Sequence, residues 1–227
     1  MKIISLSSNI AGPACGIASS IKRYFYNGSK QTDMFDYLEL SLLSIIQVLL
    51  LDNIDLISYN NSFLPNINDC HSVTFNNYDR MISHHDLKID YNEVDYINFI
   101  EKYKRRYFRL IESIKTEDII FFIRYGEEDT AQLMEFTSII KKLNPSCDFY
   151  IINIIYNDSN NNLKNNTLNP IISNVHVINF YDYLDKDIIY NSDLYYRMMQ
   201  FNWRVVYDFI NEHLPEKYRG EISFEQK

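Results

Sequence analysis

Cys15 has the surroundings in this chain that best suit a nucleophile. It follows Gly12-Pro13-Ala14, and proline is pre-organised for the first position of a helix. A thiol in the first helical turn meets unpaired backbone N–H groups and the positive end of the helix dipole, which favour the thiolate. A cysteine nucleophile also needs a base, and the base needs an orienting group. The adjacent pair His84-His85 offers the base, and Asp36 or Asp86 offers the orienting carboxylate. Cysteine is equally at home as a small core residue, so the alternative reading of Cys15 as packing stays open. Cys70 and Cys147 lack any such context.

A second set of residues suits binding. Open α/β sheets place their sites beyond the carboxyl ends of strands, where loops enter helices. That rule selects Ser7, Ser8 and Asn9 with Gly16 at the helix start, then Asp33, and Arg124 at the end of an apolar run. A helix start after a small-residue loop binds phosphate or carboxylate. Glycine stands only at positions 12 and 16 of this turn, so neither the dinucleotide fingerprint nor a P-loop is present. Adjacent histidines point to different sides and no cysteine pair flanks them, so no metal site is expected. No cofactor is called for.

The elements that must hold these residues alternate strand and helix. Lys2–Ser7 is a β-rich opening, and Pro13–Phe25 reads as a helix. Gln31–Tyr37 reads as a short strand with its exit, and Leu38–Leu51 as an apolar helix. Residues 52–92 are irregular, with a short strand near 72–76. From Val94 to Ile114, apolar residues recur at steps of three and four, predicting a long helix. Its charged side, Lys102 to Arg109, reads as a solvated face.

Asp118–Tyr125 and Asp148–Tyr156 are continuous apolar runs, the profile of parallel strands covered on both faces. Between them lies a helix opened by Asp129 and Gln132 and closed at Asn144-Pro145. Val175–Phe180 adds a strand, and Ser192–Leu214 a final helix. The fold class expected is α/β: an open, mostly parallel Rossmann-like sheet with helices on both faces. Residues 1–214 form a single domain, residues 157–170 an exposed Asn-rich loop within it, and residues 215–227 a charged tail.

The chain has 227 residues, 46% of them hydrophobic, which suits one domain with a real core. Its 22 basic and 30 acidic residues leave a net charge of −8, the wrong balance for a nucleic-acid binder. The longest apolar run is shorter than the ~20 residues a membrane span needs. Three cysteines without paired spacing suit a reducing compartment. With 19 tyrosines and a single tryptophan, and asparagine and isoleucine in excess, the composition follows codons rich in A and T. A giant virus or a low-GC bacterium is the source expected, and the cytoplasm (the host's, or the virion, if viral) the location.

Several segments together resemble the DUF1796 family, described as putative papain-like cysteine peptidases. They are Ile4-Ser5-Leu6, Cys15 to Arg23, Asp33-Met34-Phe35-Asp36-Tyr37, His84-His85-Asp86, Tyr103 to Arg106, Phe121 to Tyr125, and Trp203. The resemblance implies a cysteine-dependent hydrolase, peptidase or acyltransferase acting on a protein or peptide, with Cys15 as nucleophile. The family label implies a helical part packed on an antiparallel barrel, whereas the periodicity implies a parallel sheet. The reading from another class is a non-catalytic Rossmann-like domain that binds an anionic ligand or a protein partner at the strand ends.

Overall fold

The structure is a computed structural model. It describes residues 1–8, 13–26, 32–51, 61–65, 70–126, 130–157, 167–172, 175–183, 201–222 and 224. Among the described residues, nine strands form one sheet: β1 (Lys2–Ser8), β2 (Leu38–Leu40), β3 (Asn61–Pro65), β4 (Cys70–Phe75), β5 (Met81–Lys88), β6 (Ile119–Tyr125), β7 (Asp148–Asn157), β8 (Thr167–Ile172) and β9 (Val175–Tyr183). Their spatial order is β3-β4-β5-β2-β1-β6-β7-β9-β8.

The middle of the sheet is parallel. All seven residues of β6 are buried, because β1 and β7 flank it and helices cover both its faces. Strand β9 continues the parallel set beside β7, and β2 joins β1 in parallel through the pair Ser8↔Glu39. Beyond β2 the direction reverses, and β5, β4 and β3 are antiparallel. Strand β8 is antiparallel at the other edge.

The expected α/β class therefore stands, but the mostly parallel Rossmann-like sheet is corrected to a mixed one. Residues 52–92 carry the difference. Strands β4 and β5 are half exposed and joined by the short turn of residues 76–80, so they lack the apolar runs and intervening helix that signal parallel pairing.

The alternation of β1 feeds two cores. Ile3 faces one side, where α1 (Pro13–Phe25) and α5 (Trp203–His213) pack over Phe121, Ile123 and Ile152. Ile4 and Leu6 face the other, covered by α2 (Leu42–Leu49), α3 (Glu93–Thr116) and α4 (Thr130–Leu143). Helix α3 starts at a capping box in which the Asn92 side chain and the Asp95 backbone and carboxylate bond reciprocally. Its far end is tied by Asn144, whose side-chain amide donates to the carbonyls of Ile114 (2.8 Å) and Glu117 (3.1 Å).

Other boundaries also move. The apolar run 38–51 holds a strand and a helix, because the Ser41 hydroxyl accepts the Ser44 N–H at 3.0 Å and starts α2 there. Residues 167–170 of the Asn-rich segment lie in β8, and residues 158–166 fall outside the described residues. The final helix begins at Trp203, where Asn202 caps it; Ser192, like Asp129 before α4, lies outside the described residues. In the segment read as a charged tail, residues 215–221 are mostly exposed and two side chains beyond them meet the core. Ile222 is buried and the Phe224 ring stacks on Tyr24 at 5.4 Å.

Phe122, at the centre of β6, meets Phe136 of α4 edge-on at 5.1 Å and Phe149 of β7 at 6.0 Å. Phe122→Ala leaves a cavity that this closed layer cannot refill, and should cost about 3–5 kcal/mol. Urea unfolding followed by fluorescence of Trp203, the single tryptophan, measures it.

Candidate functional site

The histidine cluster sits on an irregularity of the ladder. Along β4 and β5, the register passes from His71↔Leu87 to Val73↔Ser83. One residue, Ser72, therefore stands against three, His84, His85 and Asp86. Bulges bend a strand and re-aim its side chains, and this one sends its three residues in different directions.

His84 turns to the sheet face on which Glu39 lies. Its Nε2 is 3.0 Å from Glu39 Oε2 and its Nδ1 is 3.0 Å from Ser72 Oγ. A carboxylate only accepts, so Nε2 carries the proton and Nδ1 accepts from the Ser72 hydroxyl when the ring is neutral. The second Glu39 oxygen pairs with the Arg80 guanidinium. Burial pushes the Glu39 carboxyl up, but the hydrogen bond from His84 and the charge of Arg80 outweigh it and hold the group below its usual value. Glu39 is thus an anion with its side chain only 4% exposed, clamped between a cation and an imidazole.

Asp86 turns the other way, towards α3. Lys102 Nζ lies 2.6 Å from Oδ1, and Oδ2 accepts from the Tyr103 and Ser83 hydroxyls, with Arg106 at 3.9 Å. Burial raises the Asp86 pKa, but Lys102, Tyr103 and Arg106 together lower it below the ordinary range. The phenol of the fully enclosed Tyr103 is pushed well up by burial and then by Asp86, so it remains a donor. Helix face 102–109 is therefore only partly solvated: Lys102 and Arg106 serve this carboxylate, and Arg109 donates to the Thr32 carbonyl at 2.7 Å. Its spacing reads as a surface stripe because the bulge that presents Asp86 has no sequence signature.

His85 is exposed at the surface, and partial desolvation of its ring by the surrounding chain, then the charge of His84, lowers its pKa. The hydrogen bonds described for Asp36 and Asp86 lead to other groups, and the carboxylate bonded to His84 is Glu39. Asp36 is fully buried and accepts the Asp33 N–H at 2.8 Å, closing the turn before β2. Asp33 lies 3.6 Å from Lys2 Nζ, near the amino end of β1 and about 20 Å along the strand from Ser8. Arg124 is buried near the carboxyl end of β6, in register with Ser7 and Asn153. Ser7 and Ser8 end β1, and Asn9 lies outside the described residues.

Cys15 is half-buried in the first turn of α1, and Gly16 beside it is buried. The helix runs back along β1: its end is fixed where the Tyr26 hydroxyl accepts the Ile3 N–H at 3.1 Å. Its start therefore lies towards the carboxyl end of β1, the end where Ser8 pairs with Glu39. Lys22, two turns on from Cys15 along one helix face, bonds Thr32 Oγ1 at 3.0 Å and lies over the Tyr37 ring. That face of α1 thus runs beside the segment entering β2. Cys147, by contrast, is buried, and burial pushes its thiol up to about 11.

Fold and site define a class: a mixed α/β domain with a cysteine in the first turn of α1 and a carboxylate-held histidine on β5. A family model described as putative papain-like cysteine peptidase (DUF1796) matches residues 2–159, and the chain belongs to that family. Comparison with curated proteins and with solved structures gave no match. Among the described residues, no helix is long and apolar enough to cross a membrane, and no group of three or more potential ligands is placed to hold a metal ion.

The Asp86 cluster has a measurable cost. Asp86→Asn leaves Lys102 and Arg106 without their counter-charge, and should cost about 3 kcal/mol at pH 7. Because the folded pKa is depressed, the carboxylate's contribution is complete above the usual carboxylate range and fades as pH falls through the lowered value. Urea midpoints of wild type and variant should therefore stay apart from pH 7 down to about pH 4, the usual carboxylate value, and draw together only below it.

Proposed function

We propose that the protein is a cysteine-dependent hydrolase or acyltransferase in which Cys15 is the nucleophile, His84 the base and Glu39 the orienting acid. The observation that carries this reading is the hold on His84: one ring nitrogen bonds a buried, ion-paired carboxylate, and the other accepts a hydroxyl hydrogen bond. Such a hold fixes the tautomer and supports the positive charge that forms when the ring takes a proton. Family membership supports the choice of thiol over other nucleophiles.

In the reaction, Nδ1 takes the thiol proton and the Cys15 sulfur attacks a carbonyl carbon. The leaving amine or alcohol then receives that proton as the carbon–heteroatom bond breaks. Water, deprotonated by the same nitrogen, releases the acid and restores the thiol. A peptide or protein acyl group is the substrate class, and the chemistry calls for no cofactor. His85 and Asp86 keep the bulge in shape. Ser7, Ser8, Gly16 and Arg124, towards the carboxyl ends of β1 and β6, are the residues we assign to substrate binding, with Asn9, which follows Ser8 in sequence; Asp33 and Asp36 shape the approach to β2.

Iodoacetamide labelling tests the assignment, with Cys70→Ser as background and the enclosed Cys147 silent. Cys15 should alkylate well below the pH that an ordinary thiol of pKa ≈ 8.5 requires. His84→Ala should slow labelling at pH 6.5 at least about tenfold. A Cys15 profile rising only around pH 8.5, unchanged in His84→Ala, would contradict it.

A further inference from the structure

The hydroxyl on the other nitrogen of His84 has a chemistry of its own. Ser72 Oγ lies 3.0 Å from Nδ1, Nε2 lies 3.0 Å from Glu39, and Arg80 backs Glu39. Nucleophile, base and orienting acid are thus joined by two hydrogen bonds of ordinary length, the arrangement that activates a serine. The three come from neighbouring strands β4, β5 and β2, so rigid elements rather than loops hold them. The bulge sets Ser72 alone against the displaced His84–Asp86 segment, and bulges of this kind are frequent beside active sites. Ser72 and His84 are both half-buried, so they are open to a small molecule and partly shielded from water.

We propose that Ser72 is a second nucleophile on the same base, giving the protein an esterase-type activity towards oxoesters with small acyl groups. The proposal rests on the reading of His84 as a base, and it is independent of Cys15.

Ser72 Oγ attacks the ester carbonyl carbon while its proton passes to His84 Nδ1. The carbonyl electrons move to oxygen and return as the bond to the leaving alkoxide breaks. The proton on Nδ1 goes to that alkoxide, which leaves as the alcohol. Water then attacks the acyl-Ser72 ester, giving its proton to Nδ1; the acid departs, and Ser72 regains its hydrogen. Throughout, Glu39 accepts from Nε2–H and stays ionised, with Arg80 against its other oxygen.

The experiment treats the full chain with p-nitrophenyl acetate and, in parallel, with a fluorophosphonate probe, and locates the adducts by peptide mass spectrometry. Expected are an acetyl and a phosphonyl group on Ser72, both persisting in Cys15→Ala and absent from Ser72→Ala. Glu39→Gln should slow acetylation at least about tenfold without moving the adduct. The wild-type adduct map is decisive even where a variant folds poorly. An acetyl group on Cys15 alone (a thioester, which neutral hydroxylamine removes) overturns the proposal and leaves the cysteine reading standing. Modification of neither residue overturns both. Adducts on Ser72 with an unreactive Cys15 sustain the proposal and remove the thiol from the mechanism.

Discussion

A charged carboxylate at the seam of a mixed sheet is the constraint on which the rest of this structure turns. Strand β2 is three residues long, parallel to β1 on one side and antiparallel to β5 on the other. Leu38 and Leu40 enter the larger core, so Glu39 points to the opposite face, where it is almost fully buried. A buried anion without partners would cost several kcal/mol. Arg80, at the start of β5, and His84, near its bulge, supply those partners. One residue therefore fixes how the antiparallel block meets the parallel one, and the same contact fixes an imidazole.

The parts legible in the sequence are those with strong period or composition. Strands β6 and β7 announce themselves as unbroken apolar runs, and α3 as a long three-and-four repeat. The Pro13 start of α1 places Cys15 correctly in a first turn. The antiparallel block was not legible, because β4 and β5 are half exposed and mix serine, histidine and threonine with few apolar residues. Periodicity implied a mostly parallel sheet and the family label an antiparallel barrel; the described strands form one mixed sheet, with β3, β4, β5 and β8 antiparallel.

Glu39 shows why the site was harder to read than the fold. Of the carboxylates singled out, Asp86 adjoins the histidines and Asp36 sits in the separate Asp33–Tyr37 motif, yet the hydrogen bonds described for them point towards α3 and into a turn. Glu39 stands 45 residues from His84 and is brought beside it only by strand pairing. The available signal was its place in Leu38-Glu39-Leu40, a charge inside an apolar run, which demands a buried partner. The bulge at His84–Asp86 is set by cross-strand register, and it determines which of two adjacent histidines faces the carboxylate.

Glu39 holds His84 as the Nε2–H tautomer and leaves Nδ1 as the accepting nitrogen. Long-range ¹H–¹⁵N correlation spectra of the histidine ring at pH 8 read this directly. A protonated Nε2 and a lone-pair Nδ1 are expected for His84, with that preference weakened in Glu39→Gln. A His84 ring protonated at Nδ1, or one whose tautomer is indifferent to Glu39→Gln, would contradict it.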